Sequence, residues 1–108
     1  MIETIDNEIT YKLGQNAQEN FDLIDEALIN NKDYWWVHLN DYPSGHCIIE
    51  STKINNQMIN TAGRLIKLNS KYDNMNTLKL VYTQIKNIKK TQNIGQVTIL
   101  NKPLYKSI

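Results

Sequence analysis

Two histidines eight positions apart, His38 and His46, are the first residues whose type and spacing could do chemistry. Segments 34–39 (Tyr-Trp-Trp-Val-His-Leu) and 46–50 (His-Cys-Ile-Ile-Glu) are rich in aromatic and β-branched residues, which suit strands. Between them Asn40-Asp41-Tyr42-Pro43-Ser44-Gly45 reads as a turn, so the two strands are predicted to form a hairpin. Pairing symmetric about Tyr42 sets His38 opposite His46, Trp36 opposite Ile48, Val37 opposite Cys47 and Trp35 opposite Ile49. Side chains alternate between faces, so Trp35, Val37, Cys47 and Ile49 make a wholly apolar face that reads as core. The opposite face carries Trp36, His38, His46 and Glu50, aromatic and polar together, as a binding surface requires.

Facing imidazoles can meet a metal, but zinc needs three or four ligands, and only Glu50 or Asp41 could join them. Cys47 points the other way, which also excludes a Cys/His nucleophile pair. The sequence has no Ser/His/Asp ordering of note and no phosphate-cradling glycine-rich loop. The expectation is a chain without catalytic residues, resident metal or cofactor. The backbone N–H groups of the Ser44-Gly45 turn could hold one phosphate.

A second constellation is basic. Lys86, Lys89 and Lys90 cluster near Tyr82; lysines bind phosphates by releasing counterions, and aromatic rings stack on unpaired bases. Arg64, Lys67 and Lys71 recur at i, i+3 and i+7, the basic edge of a helix. These cations belong to a larger asymmetry. Residues 1–50 carry ten acids against Lys12 and Lys32, a net −8; residues 51–108 carry ten bases against Asp73 alone, a net +9. Such a split points to a polyanion partner, or to two unrelated solvated surfaces.

The elements that must position these residues follow from periodicity. Segment 8–13 alternates polar and apolar and reads as a strand, preceded by an Asp6-Asn7 turn and a short strand at 2–5. Segment 17–30 reads as a helix with Asn16 as N-cap, Glu19 three residues on, an apolar stripe of Ala17, Phe21, Ile24 and Leu28, and Asp22, Asp25 and Glu26 on the solvated face. Segment 55–71 reads as a second helix, with Met58, Ala62, Leu65 and Ile66 apolar and Ile59 adjoining. A strand at 77–83, an ambiguous stretch at 84–90, and a last strand pair at 96–100 and 103–107 turning at Asn101-Lys102 complete the chain.

Composition excludes other classes. Hydrophobic content of 41% over 108 residues is too high for a disordered chain and suits one domain with a single core. No stretch approaches the roughly 20 apolar residues of a membrane span. Met1-Ile2-Glu3-Thr4 does not look like a signal peptide, and the lone Cys47 cannot make an internal disulfide. The expectation is a cytoplasmic protein.

Taken in order, Trp36-Val37-His38, Asp41 and Pro43-Ser44-Gly45-His46-Cys47-Ile48-Ile49 resemble the central motif of the NFACT-R family, the "RNA-binding" domain once of unknown function. Gly14-Gln15-Asn16-Ala17 and Asn20 resemble its Gly-Arg-Asn segment and following Asn, and Ser70-Lys71 its Ser-Lys at the end of the middle helix. Val81-Tyr82-Thr83, Lys86, Ile88, Lys90 and Gly95-Gln96-Val97 resemble its Tyr-Thr-x-x-Lys-x-Val-x-Lys and Gly-x-Val blocks. The resemblance covers about residues 9–100. Three positions depart from the pattern: Tyr34 stands where an acid usually precedes the Trp, Gln15 replaces a basic residue, and Ile94 replaces a Pro.

In that family the domain usually ends a larger protein that acts on stalled large ribosomal subunits and binds tRNA; standalone versions also exist, and this chain resembles those in extent. The resemblance therefore implies contact with tRNA or ribosomal RNA in translation or ribosome-associated quality control. The reading is one α+β domain over residues 1–108, with a mostly antiparallel sheet and two helices packed on one face. Its nucleic-acid-binding residues would be Trp36, His38, Ser44, Gly45, His46, Arg64, Lys67, Lys71, Tyr82, Lys86, Lys89 and Lys90. The histidines would donate hydrogen bonds to phosphate or 2′-OH groups, more strongly when protonated. The alternatives are a protein-interaction adaptor using the acidic helix face, with ribosomal proteins as possible partners, and a His-based metal site.

Overall fold

The computed structural model describes residues 1–108. Strands β1 (Ile2–Asp6) and β2 (Ile9–Leu13) form a two-residue hairpin. Asn7 and Glu8 both take positive φ, 51° and 67°, as a turn matched to the strands' twist requires. Helix α1 (Ala17–Asn30) begins where Asn16 Oδ1 accepts from Glu19 N–H at 2.9 Å, so the expected cap forms. The Glu19 carboxylate in turn accepts from Gln15 N–H at 3.0 Å.

The hairpin of β3 (Trp35–Leu39) and β4 (Cys47–Ile49) has the expected register: Trp35 opposite Ile49, Trp36 opposite Ile48, Val37 opposite Cys47. Helix α2 (Asn56–Leu68) is capped by Asn55, whose side chain accepts from Met58 N–H at 2.9 Å. It ends at Leu68, three residues short of Lys71. Strand β5 (Lys79–Gln84), a 3₁₀ turn (Ile85–Asn87), β6 (Ile88–Lys90), β7 (Val97–Ile99) and β8 (Leu104–Ser107) follow. The stretch at 84–90 is thus both things its sequence allowed, a helical turn and then a strand.

All pairings are antiparallel. Six strands form one sheet in the order β1-β2-β4-β3-β5-β8, and β6 with β7 forms a separate hairpin. The fold is α+β. No helix is long and apolar enough to cross a membrane.

Three expectations are corrected. The helices do not share a face. Helix α2 packs Ile59, Ala62 and Ile66 against Val37, Leu39, Cys47, Ile49 and Leu80, while α1 packs Leu23, Ile24 and Ala27 against Trp36, Ile48, Val81, Ile85 and Ile88. The reason lies in the strands. Trp36 and Ile48 make the second sheet face nearly as apolar as the first, and both faces must be covered. The two histidines and Glu50 disguised that face as open surface.

The buried stripe of α1 is also rotated from the expected one. Asn20, Leu23, Ile24 and Ala27 are buried, and Phe21 is partly buried beside them, whereas Leu28 is 43% exposed. A polar residue, Asn20, begins the true i, i+3, i+4, i+7 stripe and conceals it.

Finally, β7 and β8 do not pair with each other. Leu100 N–H bonds to Asn87 O at 2.7 Å, Asn101 turns the chain with φ 64°, and β8 crosses to the edge of β5.

Candidate nucleic-acid interface

At the Asn40 end of β3, on the α1 side of the sheet, lies a cleft of about 850 Å³. The start of α1 and the 43–46 turn form one side, residues 69–72 after α2 another, and the 91–97 segment joining β6 to β7 the third. Its charged lining consists of Lys71 alone; no carboxylate faces it.

A backbone lock shapes the cleft. His46 N–H donates to Asn20 Oδ1 at 3.0 Å, and Gly14 N–H donates to His46 O at 3.0 Å. A Cβ on Gly14 would collide with the Asn20 side chain, and one on Gly45 with the Gly14 carbonyl oxygen. The glycines and Asn20 therefore clamp the 43–46 turn to the entry of α1. Ser44 Oγ belongs to the same clamp, accepting from Leu39 N–H at 3.3 Å and donating to Gly45 O at 3.1 Å. Across the cleft Gly95 takes φ 84°, and a Cβ there would stand 2.8 Å from Ala17 Cβ, so the tip of the β6–β7 hairpin rests on the first turn of α1.

The cleft wall is a triangle of rings. Trp36 and His38 stack at 5.5 Å between centroids (24°), Trp36 and His46 meet edge-on at 5.2 Å, and His38 and His46 edge-on at 4.8 Å. Trp36 and His46 are 1% and 2% exposed, and Trp36 Nε1 and His46 Nδ1 have no hydrogen-bond partner. Burial, and secondarily the neighbouring His38, pushes His46 down to about 3; burial also lowers His38, against the opposing pull of hydrogen bonds with Ser44 and Leu39. His46 is therefore neutral near pH 7. Although the imidazoles face each other as expected, no three of His, Cys, Asp or Glu converge to hold a metal. Cys47 is fully buried, and its thiol is pushed up to about 12.

Of the residues singled out from sequence, the fold brings Trp36, His38, Ser44, Gly45, His46 and Lys71 together at the cleft. Lys67 and Arg64 lie four and seven residues before Lys71 on α2. Lys89 is exposed on β6; Lys90, beside the cleft residue Thr91, pairs with Asp25 at 2.7 Å and lies over the Phe21 ring. Two residues lie elsewhere. Tyr82 packs with Trp35 on the α2 face of the sheet, centroids 6.1 Å apart. Lys86 pairs with Asp33 at 2.9 Å, at the opposite end of β3 from His38 and Asn40. The cleft also recruits amides that were not among the binding residues read from sequence: Gln15, Asn16, Asn20, Asn40, Asn69 and Gln96. Loop amides follow no period, and of the segment joining β6 to β7 only Gly95 signalled a special backbone.

Two ion pairs, Lys86–Asp33 and Lys90–Asp25, join the basic half of the chain to the acidic half. Lys12 is held by Glu26, with Glu50 at 3.2 Å and Glu3 at 3.8 Å, and its pKa is raised chiefly by the Glu26 hydrogen bond. On α1, Asp25 and Glu19 are paired as well as Glu26, while Asp22 accepts only from Gln18 Nε2.

The family model of the NFACT protein RNA binding domain matches residues 2–101. A solved structure, the C-terminal part of the fibronectin/fibrinogen-binding protein from Streptococcus suis, superposes with a TM-score of 0.86 at 19% identity. The match covers 98% of this chain and 43% of that one, so this chain spans less than half of its neighbour. No curated protein matches the chain.

Proposed function

The chain belongs to the NFACT RNA-binding domain family, and on that premise we propose that it is a non-catalytic module that holds structured RNA, tRNA or ribosomal RNA, at the cleft. The observation that carries this reading is the chemistry of the cleft wall: a ring triangle, a rim of side-chain amides, one lysine and no carboxylate. A polyanion meets no repulsion there. Lys71 would take a phosphate, and Lys67, Arg64, Lys89 and Lys90 would extend the contact along α2 and β6. Trp36, His38, Ser44, Gly45 and His46 would shape and line the contact surface. Tyr82 and Lys86 fall outside it. A cytoplasmic protein working beside the translation machinery is consistent with this role.

The acidic α1 face favours a protein adaptor less, because Asp25 and Glu26 are already paired with Lys90 and Lys12. The test is a tRNA titration at low salt with the wild type and with Lys71→Ala. Saturable binding that Lys71→Ala weakens is expected; no binding by the wild type would remove the proposal.

A further inference from the structure

The cleft is too small for a double helix and large enough for part of one strand. About 850 Å³ falls within the range of roughly 300–1,000 Å³ typical of pockets that enclose a small organic ligand. A duplex, with its bases stacked inside, can only lie across the rim. What can enter is a nucleotide that is already unpaired.

Three features of the wall suit a base. Trp36 Nε1 is a donor without an acceptor, and His46 Nδ1 is a second polar atom without a partner. Native proteins rarely leave such buried groups dry, and a ligand atom that meets them removes a standing cost. On the lining, Asn16 and Gln96 keep a free amide donor, since their oxygens accept from Glu19 N–H and from Asn93, and Asn40 and Asn69 keep a free acceptor, since their NH2 groups donate to Asp41 and to Leu65 O; donors and acceptors of this kind read base edges. Above the opening Ile94 is an apolar side chain, 58% exposed, on the tip that Gly95 turns toward α1. Lys71 marks where a phosphate would stay outside.

We propose that the cleft receives one unpaired nucleotide of the bound RNA, its base against the ring wall of Trp36, His38 and His46, in which His38 is the part-exposed ring, and its phosphate at Lys71. This rests on the reading that the cleft binds RNA and adds that an unstacked base, not a duplex surface, is what the domain selects.

The test compares three RNAs of equal length: a continuous duplex, the same duplex with a single-nucleotide bulge, and a single strand. Binding is followed by fluorescence anisotropy, and the Trp36 indole N–H by NMR. The bulged and single-stranded RNAs should bind at least about tenfold tighter than the duplex, a difference of about 1.4 kcal/mol. Only they should shift the indole resonance. Ile94→Trp and Gln96→Trp, both at exposed positions of the cleft lining, should remove the preference for the bulged and single-stranded RNAs. Equal binding of all three RNAs with an unmoved indole signal would overturn the single-nucleotide inference while RNA binding itself stands. Failure of every RNA to bind at low salt would overturn both.

Discussion

The ε-ammonium of Lys90 lies 2.7 Å from a carboxylate oxygen of Asp25, joining the basic half of the chain to the acidic half across β6 and α1. Both groups are partly solvated, so the pair contributes roughly 0–1 kcal/mol and can exchange for a phosphate. Asp25→Asn should therefore free Lys90 beside the cleft and raise tRNA affinity a few-fold at about 50 mM salt, with the gain fading by about 200 mM as screening grows. Asp33→Asn frees Lys86 at the far end of β3 and should change affinity little. Titrations of both variants at the two salt concentrations check this; a larger gain from Asp33→Asn would relocate the RNA path.

The lowered pKa of His46 has a defined sign. A group at about 3 in the folded chain and 6.5 in the unfolded chain takes up its proton on unfolding throughout that interval. Its contribution to stability is complete above pH 6.5 and is lost as pH falls toward 3, with a limiting slope of about 1.4 kcal/mol per pH unit. The lowered His38 acts in the same direction. Urea melts at pH 7, 6 and 5 should show decreasing stability, and His46→Gln should flatten the trend. The same neutrality predicts that tRNA affinity does not climb between pH 7 and pH 6, as it would if protonated imidazoles held phosphates.

Much of this architecture was legible in the sequence, and what was not has physical causes. The hairpin register could be read because a Tyr-Pro-Ser-Gly turn fixes its centre and a slip of one residue would exchange the two faces. The start of α1 could be read because Asn16 caps it; Asn55, read as the first residue of the second helix, is instead its cap. The placement of α1 could not, since a Trp and two His on one strand face look like an exposed surface until Leu23, Ile24 and Ala27 are seen to cover it. For the site, the 36–46 residues announce themselves by type, whereas the grouping of lysines depends on strand order. Tyr82 and Lys86 stand four residues apart in sequence, and neither reaches the cleft.

The clamp between Asn20 and His46 gives a stability prediction with a binding signature. Asn20→Ala would leave the buried His46 N–H without its acceptor, at a cost of about 1–3 kcal/mol. It would also release the 43–46 turn from the start of α1. Chemical denaturation should show that loss. At temperatures where the variant remains folded, tRNA binding should fall as well. A variant that loses stability but binds tRNA normally would separate the clamp from the site.

Gly95→Ala tests the opposite wall. Its φ of 84° disfavours any side chain, and the new Cβ would press on Ala17 Cβ at 2.8 Å, so the β6–β7 tip must lift. The tip belongs to the two-stranded hairpin rather than to the main sheet, so global stability should fall by no more than about 1–2 kcal/mol. Hydrogen exchange should quicken at Gln96, whose N–H bonds to Asn93 O, and at Thr91, whose N–H bonds to Gln96 O. Unchanged protection at both would show that the tip tolerates the methyl group in place.

Lys71 is the sharpest single probe of the interface, because it is the one charged side chain of the cleft and makes no ion pair within the chain. Its removal should leave stability within about 0.5 kcal/mol, as for surface substitutions generally. If it touches one phosphate, the slope of log affinity against log salt should become shallower by about 0.7–0.9 in Lys71→Ala. Lys53 is exposed and absent from the cleft lining, and Lys53→Ala should leave that slope unchanged. Equal slopes for wild type, Lys71→Ala and Lys53→Ala would mean that no phosphate sits at Lys71. Lys71→Arg, which keeps the charge, should restore the slope, separating a phosphate contact from a change in the shape of the 69–72 turn.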